Sequence, residues 1–225
     1  MSQGPQSLIN PFAHPEVVAG YEDWYQGGGR RADLLEKALL KRLLALFPDA
    51  VTLLEIGSGT GHFSRWFGDQ GLSVVGVDRS LPMLTEAVHL DGPPWVRGDA
   101  LSLPFPALSV DLVAMITTLE FLPNPTRALS EAMRVCRQGL LLGVLNRQSL
   151  LARQLQKKGG PVWGVANFYA VDELIGLARS AASGRPLEVS WQTTLWPLWP
   201  GPLPLPWGGF IGMTIRLVKT GGEEL

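Results

Sequence analysis

A glycine-rich segment and two downstream aspartates are the residues best suited to bind a nucleotide-like molecule. The segment LLEIGSGTGHF (53–63) places glycines at 57, 59 and 61. Glycines let the backbone approach a ligand closely, and the free N–H groups at the start of the following helix favour negative groups. Asp78 follows Gly57 at about the 20-residue offset where an acidic side chain reaches ribose hydroxyls. Asp99 comes after the next apolar run, where its carboxylate could accept from an adenine amino group.

The spacing of the glycines argues against a nicotinamide dinucleotide. That fingerprint is G-x-G-x-x-G or A, whereas this loop reads G-x-G-x-G and has His62 in the last position. Glu55 precedes the turn, where a carboxylate would repel a pyrophosphate and tolerate a cation. The loop therefore favours a cofactor with a positive centre and no phosphate.

These residues need strands that end side by side, and the surrounding pattern supplies them. Apolar runs alternate with helix-like segments near 61–70, 81–90 and 125–137. Runs that are apolar on both faces and separated by helices predict parallel strands covered on both sides, in an open doubly wound α/β sheet. The runs are 51–57, 72–78, 94–99, 110–117 and 139–146.

The two ends of the chain differ from this core. Residues 1–30 are predicted to be irregular and contain the aromatic cluster YEDWY (21–25). An amphipathic helix follows, with apolar residues at 34, 35, 38, 39, 43 and 46. After residue 146 we predict helices at 148–158 and 171–183, then an antiparallel hairpin of strands 187–195 and 210–219 at one sheet edge. The hairpin strands flank the Trp/Pro segment, WPLWPGPLPLPWGG (196–209).

Composition limits the classes of protein to consider. The 225 residues predict one domain, divided into an N-terminal arm (1–30), a core (31–146) and a cap with the hairpin (147–225). The net charge of −1 disfavours nucleic-acid binding. One cysteine, Cys136, expected in a buried helix, and three dispersed histidines predict neither a disulfide nor a metal site. Since no signal-like start or run of about 20 apolar residues is present, we expect a cytoplasmic protein without a transmembrane segment.

Four segments together resemble class I S-adenosylmethionine-dependent methyltransferases, particularly the ubiquinone- and menaquinone-biosynthesis type that acts on small molecules. The segments are E-x-G-x-G-x-G (55–61), VGVDRS (75–80), GDALSLPFP (98–106) and VDLVAMITTLEFLPNPTRALSEAMRVCRQGLLLGVLN (110–146). The resemblance covers about residues 50–146. It implies a Rossmann-like, seven-stranded, mostly parallel sheet with its last strand antiparallel and helices on both faces. It also implies S-adenosylmethionine as methyl donor and S-adenosylhomocysteine as product.

The resemblance assigns roles to individual residues. The three glycines would line the methionine and ribose parts of the cofactor, and Glu55 would hold the methionine ammonium. Asp78 would take the ribose hydroxyls, Asp99 with the Ala100 backbone would read adenine, and Thr117 would lie beside the methyl group. The full set of expected cofactor-binding residues is Tyr21, Glu55, Gly57, Ser58, Gly59, Gly61, Asp78, Arg79, Asp99, Ala100 and Thr117.

For the methyl acceptor and its reaction, the sequence leaves alternatives open. Glu120, just past the fourth strand, is the candidate base, and the competing interpretation is an exposed loop carboxylate without a catalytic role. Methyl transfer can also proceed by in-line positioning alone. We expect a small apolar or aromatic acceptor; the alternative is a non-catalytic S-adenosylmethionine-binding protein that acts through a partner. The Trp/Pro segment could line the acceptor pocket, form a homodimer contact, rest on a membrane, or pack on its own sheet edge.

Overall fold

A computed structural model describes residues 11–218 of the chain. The first ten residues of the predicted N-terminal arm, and residue 219 of the last predicted strand, lie outside that range. Within it the alternation of strands and helices follows the predicted order. The strands are β1 (Thr52–Ile56), β2 (Ser73–Asp78), β3 (Trp95–Arg97), β4 (Val110–Ile116), β5 (Cys136–Leu145), β6 (Leu187–Thr194) and β7 (Phe210–Leu217).

The seven strands form one sheet in the order β3-β2-β1-β4-β5-β7-β6. The first five strands are parallel to one another, whereas β7 runs antiparallel to both β5 and β6. The predicted sheet with its antiparallel last strand and edge hairpin is therefore confirmed. Strand order reverses between β1 and β4, and in such sheets ligands bind outside the carboxyl ends of the strands at this point.

Helices cover both faces of the sheet, as predicted. On one face, α6 (Pro125–Val135) and α9 (Val171–Ala182) pack their small and aliphatic residues against inward residues of the central strands. On the other, α3 (Arg30–Leu44) and α4 (His62–Asp69) contribute Leu39, Leu40, Phe63 and Phe67. All seven residues of β4 are buried, which explains its unbroken apolar sequence. The helices from α3 onward are α3 (Arg30–Leu44), α4 (His62–Asp69), α5 (Leu81–His89), α6 (Pro125–Val135), α7 (Leu150–Lys158), α8 (Gly160–Trp163) and α9 (Val171–Ala182).

Two expectations about local structure were wrong. Residues 11–30 are not irregular: a 3-10 turn (Pro11–Ala13) leads into α1 (Pro15–Ala19) and α2 (Tyr21–Gln26). Pro15 occupies the first turn of α1, where a missing N–H costs nothing. Cys136 is buried as expected, but it begins β5 rather than lying in a helix. No helix within residues 11–218 is long and apolar enough to cross a membrane.

Candidate active site

A cavity open to solvent lies at the carboxyl ends of β1, β2, β3 and β4; its empty space, including the part that is open solvent, is about 960 Å³. Eight of the eleven expected cofactor-binding residues line it, so the fold brings together side chains that are far apart in sequence. They are Tyr21, Gly57, Gly59, Asp78, Arg79, Asp99, Ala100 and Thr117. The expected residues Glu55, Ser58 and Gly61 lie outside the lining.

The glycine loop after β1 adopts a backbone that other residues rarely tolerate. Gly57, Gly59 and Gly61 have φ values of +72°, +55° and +86°. A Cβ on Gly57 would overlap Thr118, and one on Gly61 would overlap the Trp95 ring. A Cβ on Gly59 would come no closer than 3.8 Å to the Tyr21 ring. Gly57 and Gly61 are thus required for packing, whereas a Cβ at Gly59 would fit in ordinary contact with Tyr21.

Asp78, at the end of β2, connects the loop to the neighbouring strand. Its Oδ2 accepts from the Gly59 N–H at 2.9 Å, and its Oδ1 accepts from the Ser80 N–H at 2.7 Å. Burial raises the pKa of Asp78, although these N–H groups act in the opposite direction. The carboxylate therefore faces the cavity in a fixed orientation.

Asp99 and Ala100 lie beyond β3 on the same cavity. Asp99 is exposed and its Oδ1 accepts from the Leu101 N–H at 2.9 Å, closing a short turn. This turn holds the Ala100 backbone beside the cavity. A carboxylate and a backbone group thus lie together at this end of the cavity.

Tyr21, on α2, closes the cavity over the glycine loop. Its ring lies edge-on to Phe12, with centroids 6.4 Å apart, and Phe12 in turn meets Phe121 at 4.8 Å. Burial raises the pKa of Tyr21 to about 12, so the phenol keeps its proton. The helix is held in place by Glu22, which accepts from Arg65 Nη2 at 2.8 Å and from the Thr60 hydroxyl at 2.5 Å.

Glu55 and Ser58 lie behind the loop rather than on the cavity surface. Glu55 is buried and accepts a hydrogen bond from the Ser64 hydroxyl, and burial raises its pKa to about 8. The hydroxyl of Ser58 is buried and has no partner among the described residues. Neither side chain contacts the cavity directly, so the geometry leaves the expected ammonium contact of Glu55 without direct support.

Thr117 lies at the end of β4 in a backbone conformation that sequence reasoning did not anticipate. Its φ of +49° is unusual for a β-branched residue, and such outliers cluster at functional sites. The Thr117 N–H donates to the Gly143 carbonyl at 2.7 Å, which fixes this conformation. Thr117 is therefore held on the cavity surface by the edge of β5.

Glu120 is neither an exposed loop residue nor part of the cavity lining. It has no solvent-exposed area and lies in a 3-10 turn (Leu119–Phe121). Its Oε1 accepts from the Leu145 N–H at 2.7 Å, whereas its Oε2 has no partner among the described residues. Burial raises the pKa of Glu120 to about 8. The exposed-carboxylate interpretation is wrong because the turn folds this side chain inward against β5.

Sequence reasoning missed the apolar part of the cavity. It comes from segments without regular patterning: the N-terminal arm, the turn after β4 and the loop after α8. Because such residues are scattered in loops, no periodicity identifies them. They include Pro11, Phe12, Phe121, Leu122, Pro123 and Val165.

The Trp/Pro segment contributes none of the residues that line this cavity. It is tied to the sheet edge and to β5: Thr193 Oγ1 donates to the Leu205 carbonyl at 2.6 Å, and Asn146 Nδ2 donates to the Pro206 carbonyl at 2.6 Å. Yet Leu198, Trp199 and Trp207 are 97%, 54% and 58% exposed. The backbone is packed on its own edge, while several apolar side chains stay in solvent.

The described residues contain no group of three or more His, Cys, Asp or Glu side chains arranged to hold a metal ion. His62 is instead part of an ionic cluster beside the glycine loop. Its Nε2 lies 2.7 Å from Asp33 Oδ1, and its ring stacks on Tyr25 with centroids 3.6 Å apart. The hydrogen bond to Asp33 raises the pKa of His62, although burial opposes this.

Comparison with known proteins places this geometry in a family. The family model described as a methyltransferase domain matches residues 54–143. A structure from Thermotoga maritima, described as an S-adenosylmethionine-dependent methyltransferase and possible histamine N-methyltransferase, is 30% identical. The alignment covers 93% of this chain and 99% of that one, with a TM-score of 0.76.

Curated relatives match the chain over shorter stretches, and one of them is named as a methyltransferase. Demethylmenaquinone methyltransferase from Renibacterium salmoninarum is 33% identical over 134 residues, or 55% of each chain. An uncharacterised protein from Methanocaldococcus jannaschii is 28% identical over 163 residues, or 71% of this chain and 75% of its own. This chain therefore spans about half the length of the demethylmenaquinone enzyme. The fold, the full-length likeness and the family match together show that the chain belongs to the class I S-adenosylmethionine-dependent methyltransferases, which transfer a methyl group from that cofactor.

Proposed function

We propose that the chain transfers the methyl group to a small apolar or aromatic acceptor and that the cavity at the strand ends holds both reactants. One observation carries the proposal: the apolar residues of the arm and of the turn after β4 adjoin the polar groups on the same cavity. The acceptors named for two relatives, histamine and demethylmenaquinone, both contain an unsaturated ring. A ring-bearing acceptor suits the apolar surface that Phe12 and Phe121 form on the cavity better than a sugar or a polymer would.

We propose a role in binding S-adenosylmethionine for each of the expected cofactor-binding residues, according to whether it lines the cavity. The Asp78 carboxylate would accept the ribose hydroxyls, and Asp99 with the Ala100 backbone would take the adenine. Gly59 lines the cavity without a side chain, so a ligand can approach its backbone closely. Arg79, exposed at the end of β2, lines the same end of the cavity. Glu55, Ser58 and Gly61 would act indirectly, by holding the loop in shape.

Holding the acceptor in line with the methyl group would supply much of the rate enhancement. S-adenosylmethionine brings a methyl group activated by a sulfonium, and the residues need to hold an acceptor in line with it. Thr117 is fixed at the end of β4, and Tyr21 covers the loop from the opposite side, where water would otherwise enter. Glu120 lies behind the cavity lining, so we assign it no direct proton transfer.

Turnover with an acceptor panel tests the proposal. Formation of S-adenosylhomocysteine would be followed with aromatic and aliphatic alcohols, phenols and amines, and with sugars and amino acids as polar controls. We expect turnover with ring-bearing apolar compounds that is lost in Asp78→Ala. Cofactor binding without turnover on any member would favour the non-catalytic alternative, and turnover confined to polar controls would contradict the proposed acceptor class.

We further propose that the Trp/Pro segment forms a contact between two copies of the chain. Its support is the exposure of Leu198, Trp199 and Trp207 beside a backbone that is itself well ordered by hydrogen bonds. Light scattering after gel filtration would compare the native protein with the double variant Leu198→Asp, Trp199→Asp. A dimer that becomes a 24.4-kDa monomer is expected; a native monomer would refute the contact.

A further inference from the structure

His62, the residue that follows the glycine loop, joins three helices. It begins α4, and its side chain is 14% exposed. Its Nε2 lies 2.7 Å from Oδ1 of Asp33 on α3, and its Nδ1 lies 3.6 Å from Oε2 of Glu22 on α2. Its ring stacks on that of Tyr25, also on α2, with centroids 3.6 Å apart and planes 10° from parallel. His62 therefore connects the start of α4 to both α2 and α3.

The two carboxylates suit a protonated imidazole better than a neutral one. A neutral ring has a single N–H, so when Nε2 donates to Asp33, Nδ1 presents a lone pair to Glu22. A protonated ring has an N–H on each nitrogen and directs one towards each carboxylate. Burial lowers the pKa of His62, but Asp33 and Glu22 outweigh burial and raise it above the ordinary 6.5. Groups on two different helices therefore hold this proton.

The other titratable groups around the ring reduce this preference without removing it. Lys37 Nζ lies 2.9 Å from Nε2 of His62 and opposes a second positive charge, as does the N-terminal end of α4. The same Nζ lies 2.9 Å from Oδ2 of Asp33, so each oxygen of that carboxylate serves one cation. Glu36, buried on α3, is largely protonated at neutral pH because burial raises its pKa to about 8. Tyr25 stays uncharged because burial raises the pKa of its phenol.

The partners of His62 on α2 also hold that helix against the glycine loop. Glu22 accepts from the hydroxyl of Thr60, within the loop, at 2.5 Å and pairs with Arg65 of α4 at 2.8 Å. The Tyr25 ring lies 5.6 Å from the ring of Tyr21, which lines the cavity. All three α2 residues belong to one six-residue helix, so a contact that displaces Glu22 and Tyr25 also displaces Tyr21.

We infer that His62 is a positioning residue for the cofactor at the site proposed above: its protonated ring binds Glu22 and Tyr25, and α2 thereby covers the glycine loop. Loss of the proton removes the attraction to Glu22. It also weakens the stacking on Tyr25, because an aromatic face attracts a cation more strongly than a neutral ring. His62 does not line the cavity, so it acts through α2 and not by contact with the reactants.

Cofactor binding should therefore be coupled to proton uptake by His62. Bound S-adenosylhomocysteine favours the position in which α2 covers the loop, and the same position favours the protonated ring. By reciprocity, the pKa of His62 should rise on binding. The gain in affinity is complete below the pKa of His62 in the free protein and is lost as the pH rises through its pKa in the complex. Since the former is already above 6.5, the loss begins above that pH.

Titration of the histidine rings in native protein tests the proposal without any substitution. The chain has three histidines, and His14 and His89 are exposed, so ¹H–¹⁵N spectra of the rings can follow His62 separately. Its pKa would be measured with and without saturating S-adenosylhomocysteine. It should rise by about 0.5 or more on binding, which corresponds to about threefold in affinity. Those of His14 and His89 should stay unchanged.

Two variants separate the effect of the proton from that of the side-chain shape. His62→Gln keeps a donor for Asp33, and His62→Phe keeps a ring against Tyr25, but neither can be protonated. The ratio of each dissociation constant to that of native protein should fall by about threefold or more between pH 6 and pH 8.5. A purely structural role would give a ratio independent of pH. His89→Gln, whose native side chain is 69% exposed on α5, is the matched control and should bind as native protein does throughout.

The results separate this role of His62 from the proposed function. Absence of S-adenosylhomocysteine binding by native protein at every pH contradicts the proposed cofactor site itself. Binding with a constant ratio for both variants, or a pKa of His62 that does not rise, overturns only the role of His62. The titration of Glu36, Glu55 and Asp78 cancels in the ratio because every variant retains them. Thermal melting at each pH shows whether a variant is folded; where neither is, the ring titration of native protein decides.

Discussion

The Asp78 carboxylate accepts the Gly59 N–H at 2.9 Å, so the side chain that ends β2 fixes the loop that follows β1. The same carboxylate lines the cavity, and its second oxygen accepts from the Ser80 N–H. One residue thus has two effects: it shapes the glycine loop and it presents acceptor oxygens to a ligand. Substitutions in the loop should consequently alter binding and stability to different degrees, depending on which side of the loop they change.

Gly61 and Gly59 should respond differently to a methyl group. In Gly61→Ala the left-handed backbone costs about 1–2 kcal/mol and the methyl group also overlaps the Trp95 ring, so the free energy of unfolding should fall by more than that. In Gly59→Ala the same backbone cost applies, but the methyl group fits without overlap, in ordinary contact with the Tyr21 ring at the cavity surface. Its main effect should be weaker binding of S-adenosylhomocysteine.

Thermal melting and calorimetric titration would measure both effects. Gly28→Ala is the control, because a Cβ there meets nothing within 4 Å and the backbone is not left-handed. A Gly61→Ala protein as stable as this control would show that the loop is not packed against Trp95 as described.

Glu22 should influence cofactor binding through the position of α2. Glu22→Gln removes the charge that pairs with Arg65 and leaves an acceptor for Thr60, so α2 and Tyr21 should cover the loop less firmly. Because the ion pair is partly exposed, we expect a loss of stability of only about 0–1 kcal/mol. The dissociation constant for S-adenosylhomocysteine should rise several-fold.

The neighbouring exposed acid provides the comparison. Asp23→Asn makes the same change on the solvent side of α2 and should bind the cofactor product as the native protein does. Equal affinity in Glu22→Gln and Asp23→Asn would mean that α2 has no part in closing the cavity.

The buried Glu120 should make stability depend on pH in a defined direction. Its pKa rises from an ordinary 4.5 to about 8 on folding, which means that the folded protein favours the protonated carboxyl. The resulting contribution to the free energy of unfolding is complete below pH 4.5 and is lost as the pH rises towards 8. Glu120→Gln cannot ionise, so its Tm relative to the native protein should increase between pH 5 and pH 8.5. For a chain of this size, about 2–4 °C is expected for each 1 kcal/mol.

Melting curves of native protein, Glu120→Gln and Glu86→Gln across this range would check the effect. The Tm of Glu86→Gln should change with pH as the Tm of the native protein does, since the Glu86 side chain on α5 is 39% exposed. A constant difference between Glu120→Gln and native protein would place Glu120 in a polar environment, contrary to its burial.

The sequence was sufficient to predict the sheet and the cavity position because both depend on local signals. Runs apolar on both faces predicted buried parallel strands, and β4 is buried along its whole length. Asp78 and Asp99 could be placed because each follows a strand end, and parallel strands end on the same side of the sheet. The glycine spacing predicted the turn, and all three glycines have the left-handed backbone it requires.

Long-range burial could not be predicted in the same way. Apolar spacing placed Leu34 on the inner side of its helix, yet Leu34 is 60% exposed and Glu36 is 6% exposed. The first turns of α3 bury polar side chains because Asp33 pairs with His62 of α4 at 2.7 Å rather than packing in an apolar core. Glu120 is buried where it accepts a hydrogen bond from Leu145, 25 residues away. A contact between residues so far apart in the chain produces no local sequence pattern.

Calorimetric titration with S-adenosylhomocysteine tests the central claim most directly. The native protein should bind one molecule per chain, and Asp78→Ala should lose at least tenfold in affinity, because it lacks both the ribose acceptor and the hydrogen bond to Gly59. Asp69→Ala, at the exposed end of α4, should bind as the native protein does. Equal binding by Asp78→Ala and native protein, or no binding by either, would contradict the assignment of this cavity as the cofactor site.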